Sequence, residues 1–188
     1  MANTPLWVFG YGSLMWEPGF DYVEKHVVRL WGYHRSFCMW SYHYRGTREA
    51  PGLVLALDEH EDAFCDGVAY CIAPEKAGDT LAYLRERELI SHAYVEAIVP
   101  LTLPDGKEIE AVTYVINKSH EQYCRETRLE KQAAIIAGAR GGRGPNATYL
   151  ANTVRHLQDL GLQDRDLDWL ANRVNEIAGR SDENRSRR

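Results

Sequence analysis

The spacing of apolar residues changes near residue 117, and this change restricts the chain to few fold classes. Before it, runs rich in Val, Ile, Trp, Tyr and Phe alternate with glycine and proline, which is typical of β-strands. After it, apolar residues recur every three or four positions, which is typical of helices. Strands followed by a block of helices predict an α+β fold. Because many strands in a small domain would leave free edges, we expect a small closed or nearly closed β-barrel.

The predicted elements follow from these patterns. We predict strands over 6–9, 22–44 with a bend or bulge at Gly32, 52–57, 67–72, 94–103 and 110–116. Pro104-Asp105-Gly106 predicts a hairpin between the last two strands. One helix begins at Pro74 and runs to about Glu88. Three C-terminal helices, packed outside the barrel, are predicted over 125–138, 146–160 and 164–178, the last capped by Asp164.

The size and charge of the chain bound its organisation and its partners. A length of 188 residues suits one domain, which we place over residues 1–179. Residues 180–188 contain no apolar side chain, so we expect a disordered tail there. The net charge of −5 argues against a protein that binds nucleic-acid phosphates. We therefore expect no nucleic-acid partner, and the charge does not exclude a small anionic ligand.

The N-terminal residues, the apolar content and the cysteines predict a cytoplasmic location. The first residues carry neither a basic region nor a long apolar run, so we expect no signal peptide. No window approaches the roughly 18 apolar residues of a membrane helix, so we expect no membrane partner. Four cysteines are scattered without CxxC or zinc spacing. They predict reduced thiols, a cytoplasmic location and no metal site.

A glycine-containing loop follows the first strand. In Phe9-Gly10-Tyr11-Gly12-Ser13, two glycines would let the backbone turn sharply and point several amides in one direction. Such a set of amides suits a carboxylate or phosphate, although a tight turn without a ligand is an equal alternative. A dinucleotide site is disfavoured because the third glycine of its motif is missing. If Gly12 needs a positive φ, as such turns often do, Gly12→Val should impair substrate binding.

The helix that ends near Glu88 carries a run of charges over 85–88, which usually marks a solvated face. Glu88 differs because it falls at the helix C-terminus, where the backbone dipole disfavours an anion, and precedes apolar Leu89. Partial burial there would raise its pKa toward the range that suits proton transfer. Arg85 and Arg87 would oppose that shift if they face it. The residues alone leave both a catalytic and a solvated Glu88 open.

These segments together resemble the ChaC family of glutathione-specific γ-glutamylcyclotransferases. The similar motifs are the loop Trp7–Trp16, Arg45-Gly46 with Pro51-Gly52, Tyr83-Leu84 with Arg87-Glu88, and Gly144-Pro145-Asn146 with Tyr149-Leu150. The resemblance runs from about residue 6 to residue 175, and the order and spacing make it far more specific than any single motif. One departure is Ser91-His92-Ala93-Tyr94, where many members carry a glycine before the tyrosine.

The resemblance implies a barrel with one helix near the active site and no cofactor. It implies that glutathione is the substrate and that 5-oxoproline and Cys-Gly are the products. In that reaction the α-amine of glutathione attacks its own γ-carbonyl. The implied γ-glutamyl-binding residues are Val8, Phe9, Gly10, Tyr11, Gly12 and Ser13. Glu88 is the implied proton acceptor, and Tyr114 is a further candidate pocket residue, with a plain strand tyrosine as an equal alternative.

Two other functions stay open at this point. The chain could be a cyclotransferase for other γ-glutamyl peptides or amines. It could also be a non-catalytic binding or regulatory protein that uses the same pocket. No obligate protein partner is inferred.

Overall fold

The computed structural model describes residues 4–125 and 127–186, with side chains to residue 180. Seven strands are present in this part of the chain: β1 Leu6–Gly10, β2 Glu24–Ser41, β3 Gly52–Ile72, β4 Tyr94–Thr102, β5 Glu108–Ile116, β6 Arg140–Gly141 and β7 Gly144–Pro145. The helices are α1 Ala77–Glu88, α2 Leu129–Gly138, α3 Asn146–Asp159 and α4 Arg165–Ser186, with 3-10 turns at Ser13–Met15 and Pro74–Lys76.

Five of the strands form one mixed sheet, in the order β2-β3-β1-β5-β4. β1 is antiparallel to β3, with Gly10 opposite Val68, and parallel to β5, with Val8 opposite Val112. β4 and β5 form the predicted antiparallel hairpin, and Gly106 takes a φ of +86° in its turn. The predicted α+β class is therefore confirmed.

The sheet is not closed into a barrel, so that part of the prediction is not confirmed. In the part of the chain that the structure describes, β2 and β4 are the two edges. The prediction assumed that free edges require closure. However, β4 carries Pro100, and β2 carries the charged residues Lys25 and Arg29. Proline and charged side chains protect an edge strand without closing the sheet.

Two strands are longer than the sequence predicted. β2 is continuous over its 18 residues and passes through Gly32, whose φ of +80° distorts the strand without ending it. β3 is continuous over 21 residues and includes the polar stretch 58–66. The prediction split each region in two, because a glycine or a polar run weakens a strand pattern. Ladder pairing uses backbone groups, so it continues where the side-chain pattern is poor.

The chain groups into two compact units. The first contains the residues up to Ser36 together with Ala56–Tyr123, and the second contains Phe37–Leu55 and the chain from Cys124 onward. A single domain over residues 1–179 stays a prediction. The tail expected over 180–188 begins inside α4, which extends to Ser186, and residues 187–188 lie outside the described part.

The first unit has a core built mainly from alternating strand residues. Because successive strand side chains point to opposite faces, Trp7, Phe9 and Tyr11 contribute to the same cluster. The other buried members are Val28, Leu30, Leu57, Cys65, Ala69, Cys71, Val99, Leu101, Leu103, Ala111 and Val115. This packing fixes β1 and therefore the start of the loop that follows it.

The second unit contains the three predicted C-terminal helices. Asp164 caps α4, as predicted, because the Leu167 N–H donates to its Oδ1 at 3.2 Å. The buried Asn146 side chain binds the backbone of Leu53 through two hydrogen bonds of 2.7 and 2.8 Å. Among the described helices, none combines the length and apolarity needed to cross a bilayer.

All four cysteines lie within the described residues, and their reduced state stays a prediction. Three are buried and Cys124 is half-buried.

Candidate functional site

The glycine-containing loop begins where β1 ends, at Gly10. A 3-10 turn then covers Ser13–Met15, in which the Met15 N–H donates to the Gly12 carbonyl at 2.9 Å. The first amides of a helical turn have no acceptor within it. The N–H groups of Gly12, Ser13 and Leu14 are therefore not used by the turn itself, which makes the loop suited to an anionic or carbonyl oxygen.

Two glycines allow the chain to pack closely behind this loop. A Cβ on Gly10 would lie 3.0 Å from the Leu14 Cβ, and a Cβ on Gly67 would lie 2.5 Å from the Gly10 carbonyl oxygen. Gly12 behaves differently from the prediction, because its φ is −130° rather than positive. A Cβ there would meet no described atom within 4 Å beyond its chain neighbours. The positive-φ argument for Gly12→Val is therefore wrong, and Gly12 borders open space.

Two buried side chains donate hydrogen bonds to backbone carbonyls of the loop. Arg35 is 3% exposed, and its Nη1 donates to the Tyr11 carbonyl at 2.9 Å and the Asp66 carbonyl at 3.0 Å. The buried Thr113 hydroxyl donates to the Phe9 carbonyl at 3.0 Å. Sequence reasoning missed both residues. An arginine inside a predicted apolar strand was the available signal for Arg35, because a buried arginine needs acceptors.

Glu88 is the last residue of α1, at the helix end that the sequence predicted. Its side chain is 19% exposed. Burial raises the pKa of this carboxyl, and the nearby Arg87 charge opposes that increase. A half-buried carboxyl with a raised pKa is a candidate for accepting and returning a proton.

Arg87 connects Glu88 to the loop. Its Nε lies 3.1 Å from Glu88 Oε1, and its Nη2 donates to the Ser13 hydroxyl oxygen at 2.9 Å. Its Nη1 donates to the Glu17 carbonyl at 2.8 Å. One guanidinium thus brings together the predicted proton acceptor and the predicted binding loop, which are far apart in the sequence.

Tyr114 lies on β5 and is 2% exposed. Its hydroxyl donates to Glu96 Oε2 at 3.2 Å, and Arg85 binds the same carboxylate through hydrogen bonds of 2.8 and 2.7 Å. Burial raises the pKa of Tyr114, and the charges of Glu96 and Glu88 add to the increase. Tyr114 is therefore a protonated side chain at neutral pH. Glu96 was missed from the sequence, although a carboxylate within an apolar strand was a signal.

The two remaining motifs of the family resemblance, which begin at Arg45 and at Gly144, lie in the second unit. Arg45 is half-buried, its Nη1 donates to the Arg143 carbonyl at 2.6 Å, and its guanidinium lies 5.2 Å from the centre of the Tyr149 ring. A Cβ on Gly52 would lie 2.8 Å from Asn146 Oδ1, so the glycine permits this close approach. These contacts give both motifs a structural role within their own unit.

No group of three or more His, Cys, Asp and Glu side chains that could hold a metal ion occurs within residues 4–125 and 127–186.

The chain is similar to several proteins named as γ-glutamylcyclotransferases. A protein of Escherichia coli K12 named glutathione-specific γ-glutamylcyclotransferase is 39% identical over 166 residues, covering 88% of this chain and 71% of the relative. A protein of the same name from Schizosaccharomyces pombe is 34% identical over 179 residues, covering 86% and 87%. An Arabidopsis thaliana protein named γ-glutamylcyclotransferase 2-3 is 34% identical over 184 residues, covering 95% and 92%.

A solved structure has the same fold. The crystal structure of a γ-glutamylcyclotransferase specific to glutathione from yeast superposes with a TM-score of 0.80, at 24% identity, covering 93% of this chain and 100% of that one. The family model described as ChaC-like protein matches residues 6–177. Because that match spans most of the sequence, the chain belongs to the ChaC-like protein family.

Proposed function

We propose that this protein is a glutathione-degrading γ-glutamylcyclotransferase that releases 5-oxoproline and Cys-Gly. The names of its relatives support the substrate and the reaction class. The observation that carries the proposal is the half-buried Glu88 carboxyl, which Arg87 ties to Ser13 of the loop. A proton-transfer group beside a set of backbone donors is what this reaction requires.

The reaction is an intramolecular transfer. The α-amine nitrogen of glutathione forms a bond to the γ-carbonyl carbon, and the bond from that carbon to the cysteine nitrogen breaks. Because both reacting groups belong to one molecule, the enzyme mainly has to hold it in a folded conformation. The α-amine is largely protonated at neutral pH, so a base must first remove a proton. The departing nitrogen then needs a proton, and Glu88 performs both steps in this scheme.

The loop Val8–Ser13 binds the γ-glutamyl group in the proposal. Val8 and Phe9 are fully buried in β1, so their contribution comes through the backbone. In the proposal, the amides of Gly12 and Ser13 bind the α-carboxylate or the carbonyl oxygen on which charge develops. Gly10 and Tyr11 set the path of the loop. Tyr114 is a pocket residue in this scheme and acts through its hydrogen bond to Glu96 rather than as a base.

The scheme uses no metal, nucleotide or water as a reactant. A cytoplasmic location and the absence of nucleic-acid, membrane and obligate protein partners stay part of the proposal.

The test is incubation of the purified protein with reduced glutathione, with and without a chelator. We expect equal amounts of 5-oxoproline and Cys-Gly, measured by mass spectrometry, and the same rate in both arms. Complete dependence on a divalent ion would contradict the cofactor-free scheme. A parallel panel of γ-glutamyl peptides and γ-glutamylamines tests specificity. Ligand binding without turnover of any compound would favour a regulatory protein.

A further inference from the structure

Each of the three nitrogens of the Arg87 guanidinium contacts a protein acceptor. Nε contacts Glu88 Oε1 at 3.1 Å, and Nη2 donates to Ser13 Oγ at 2.9 Å. Nη1 lies within 2.8 to 3.3 Å of three acceptors, the carbonyls of Glu17 and Pro18 and the Tyr83 hydroxyl. Each nitrogen of the guanidinium therefore already has a partner.

This arrangement argues against a direct role of Arg87 in binding substrate. A substrate carboxylate would have to displace contacts that join α1 to the loop and to the segment after it. The planar guanidinium instead fixes its acceptors at set angles, which a flexible ammonium cannot do. Glu88 and Ser13 are thereby held against one rigid group.

We propose that Arg87 is a positioning residue that holds the Glu88 carboxylate in register with the Ser13 loop for proton transfer. The inference rests on the proposed function, because it assigns how the proton-transfer group is aligned. Misplacement of a reacting group by about 1 Å can lower a rate by about 100-fold, so such a contact has a measurable catalytic effect.

The charges around Glu88 make the role testable. On α1, Arg87 is the cation whose charge favours ionised Glu88, while Arg85 is bound to Glu96 of β4. On β5, Tyr114 is protonated and its pKa responds to the Glu88 charge. Removal of the Arg87 charge leaves burial unopposed, so the Glu88 carboxyl should ionise at higher pH than in the wild type.

The experiment compares Arg87→Met, Arg87→Lys and the control Lys76→Met, which removes an exposed charge where α1 begins. Two readouts are measured, the acidic limb of kcat/KM and the titration of Glu88 by NMR on isotope-labelled glutamate. In Arg87→Met we expect both to move to higher pH and kcat to fall by at least about tenfold, with a smaller change in KM. Arg87→Lys should restore the titration but only part of kcat. The control should match the wild type.

If the acidic limb of kcat/KM and the Glu88 titration of Arg87→Met both match the wild type, the proposal is overturned. A purely structural role for Arg87 would give that result. If Arg87→Met does not fold, Arg87→Lys decides, since a wild-type kcat in that variant would also overturn it. A wild type without turnover would instead refute the proposed function, and the NMR titration would still test the Arg87–Glu88 contact.

Discussion

The Tyr114 hydroxyl donates a hydrogen bond to Glu96 Oε2 across 3.2 Å, and the two residues lie directly opposite each other on β5 and β4. Arg85 binds the same carboxylate from α1. This chain of contacts holds the Tyr114 hydroxyl and keeps it protonated, because burial and the Glu96 charge both raise its pKa. Of these two candidate site residues, Tyr114 is therefore a hydrogen-bond donor, whereas Glu88 is the candidate for proton transfer.

Tyr114→Phe should have a modest effect on catalysis. The ring stays in place, and Glu96 keeps its partner Arg85, so no carboxylate is left unpaired. We expect kcat to stay within about tenfold of the wild type, below the usual effect of removing a general base. The loss of stability should be about 1 kcal/mol, the usual value of one hydrogen bond. A 100-fold loss in steady-state kinetics, on the scale of general catalysis, would instead place Tyr114 at the reacting atoms.

Gly12→Ala and Gly10→Ala should separate binding from folding. The Cβ of Gly12→Ala enters open space, so we expect an unchanged melting temperature and a raised KM for glutathione. The Cβ of Gly10→Ala meets Leu14 at 3.0 Å, so this variant should lose about 1–3 kcal/mol of stability by overpacking. Calorimetry and kinetics on both proteins check this. A Gly12→Ala protein with normal KM would mean that substrate does not approach that residue.

Arg35→Met should destabilise the first unit and weaken the loop. It leaves the buried Tyr11 carbonyl and the partly buried Asp66 carbonyl without this donor, which should cost about 2–4 kcal/mol in urea unfolding. The control is Arg29→Met on the same strand, which removes an exposed ion pair with Asp66. Exposed pairs contribute little, so its loss should be much smaller. Equal losses would show that the buried contact to Tyr11 has no special weight.

The stability of Glu88→Gln should depend on pH. Burial raises the pKa of Glu88, so the folded state favours the protonated form. The stability that protonated Glu88 contributes to the folded state is complete below the ordinary glutamate pKa. It is lost as the pH rises through the raised pKa of Glu88 in the folded state. The melting temperature of Glu88→Gln relative to the wild type should therefore be higher at neutral pH than at mildly acidic pH. A difference that shrinks as pH rises would contradict this sign.

The class of the fold, the end of α1 and the start of α3 could be predicted because they depend on local patterns. Two other helix ends were wrong, since α2 begins at Leu129 rather than at 125 and α4 extends to Ser186 rather than to 178. Apolar periodicity marked the three C-terminal helices, and Asp164 marked the start of α4. The hairpin was visible because Gly106 supplies a turn conformation that other residues rarely adopt. The position of Glu88 at a helix end was local information as well.

The contacts that organise the site could not be predicted, because they join distant parts of the sequence. Ser13 and Arg87 are 74 positions apart, and Tyr11 and Arg35 are 24 apart. In the sequence, Arg87 is one charge in a run that resembles a solvated face. Barrel closure was overestimated for a related reason, since local patterns show where strands form but not which edges pair.

The most direct test of the account is the turnover of glutathione by Glu88→Gln. Glutamine keeps the size of the side chain but cannot take a proton from the α-amine. Glu86→Gln is the matched control, because Glu86 is exposed on the same helix turn. We expect kcat of Glu88→Gln to fall by about 100-fold or more with little change in KM, the usual scale for a general acid–base group. Glu86→Gln should match the wild type. A kcat of Glu88→Gln within about threefold of the wild-type kcat would contradict the central claim, because removal of a general acid–base group has a much larger effect.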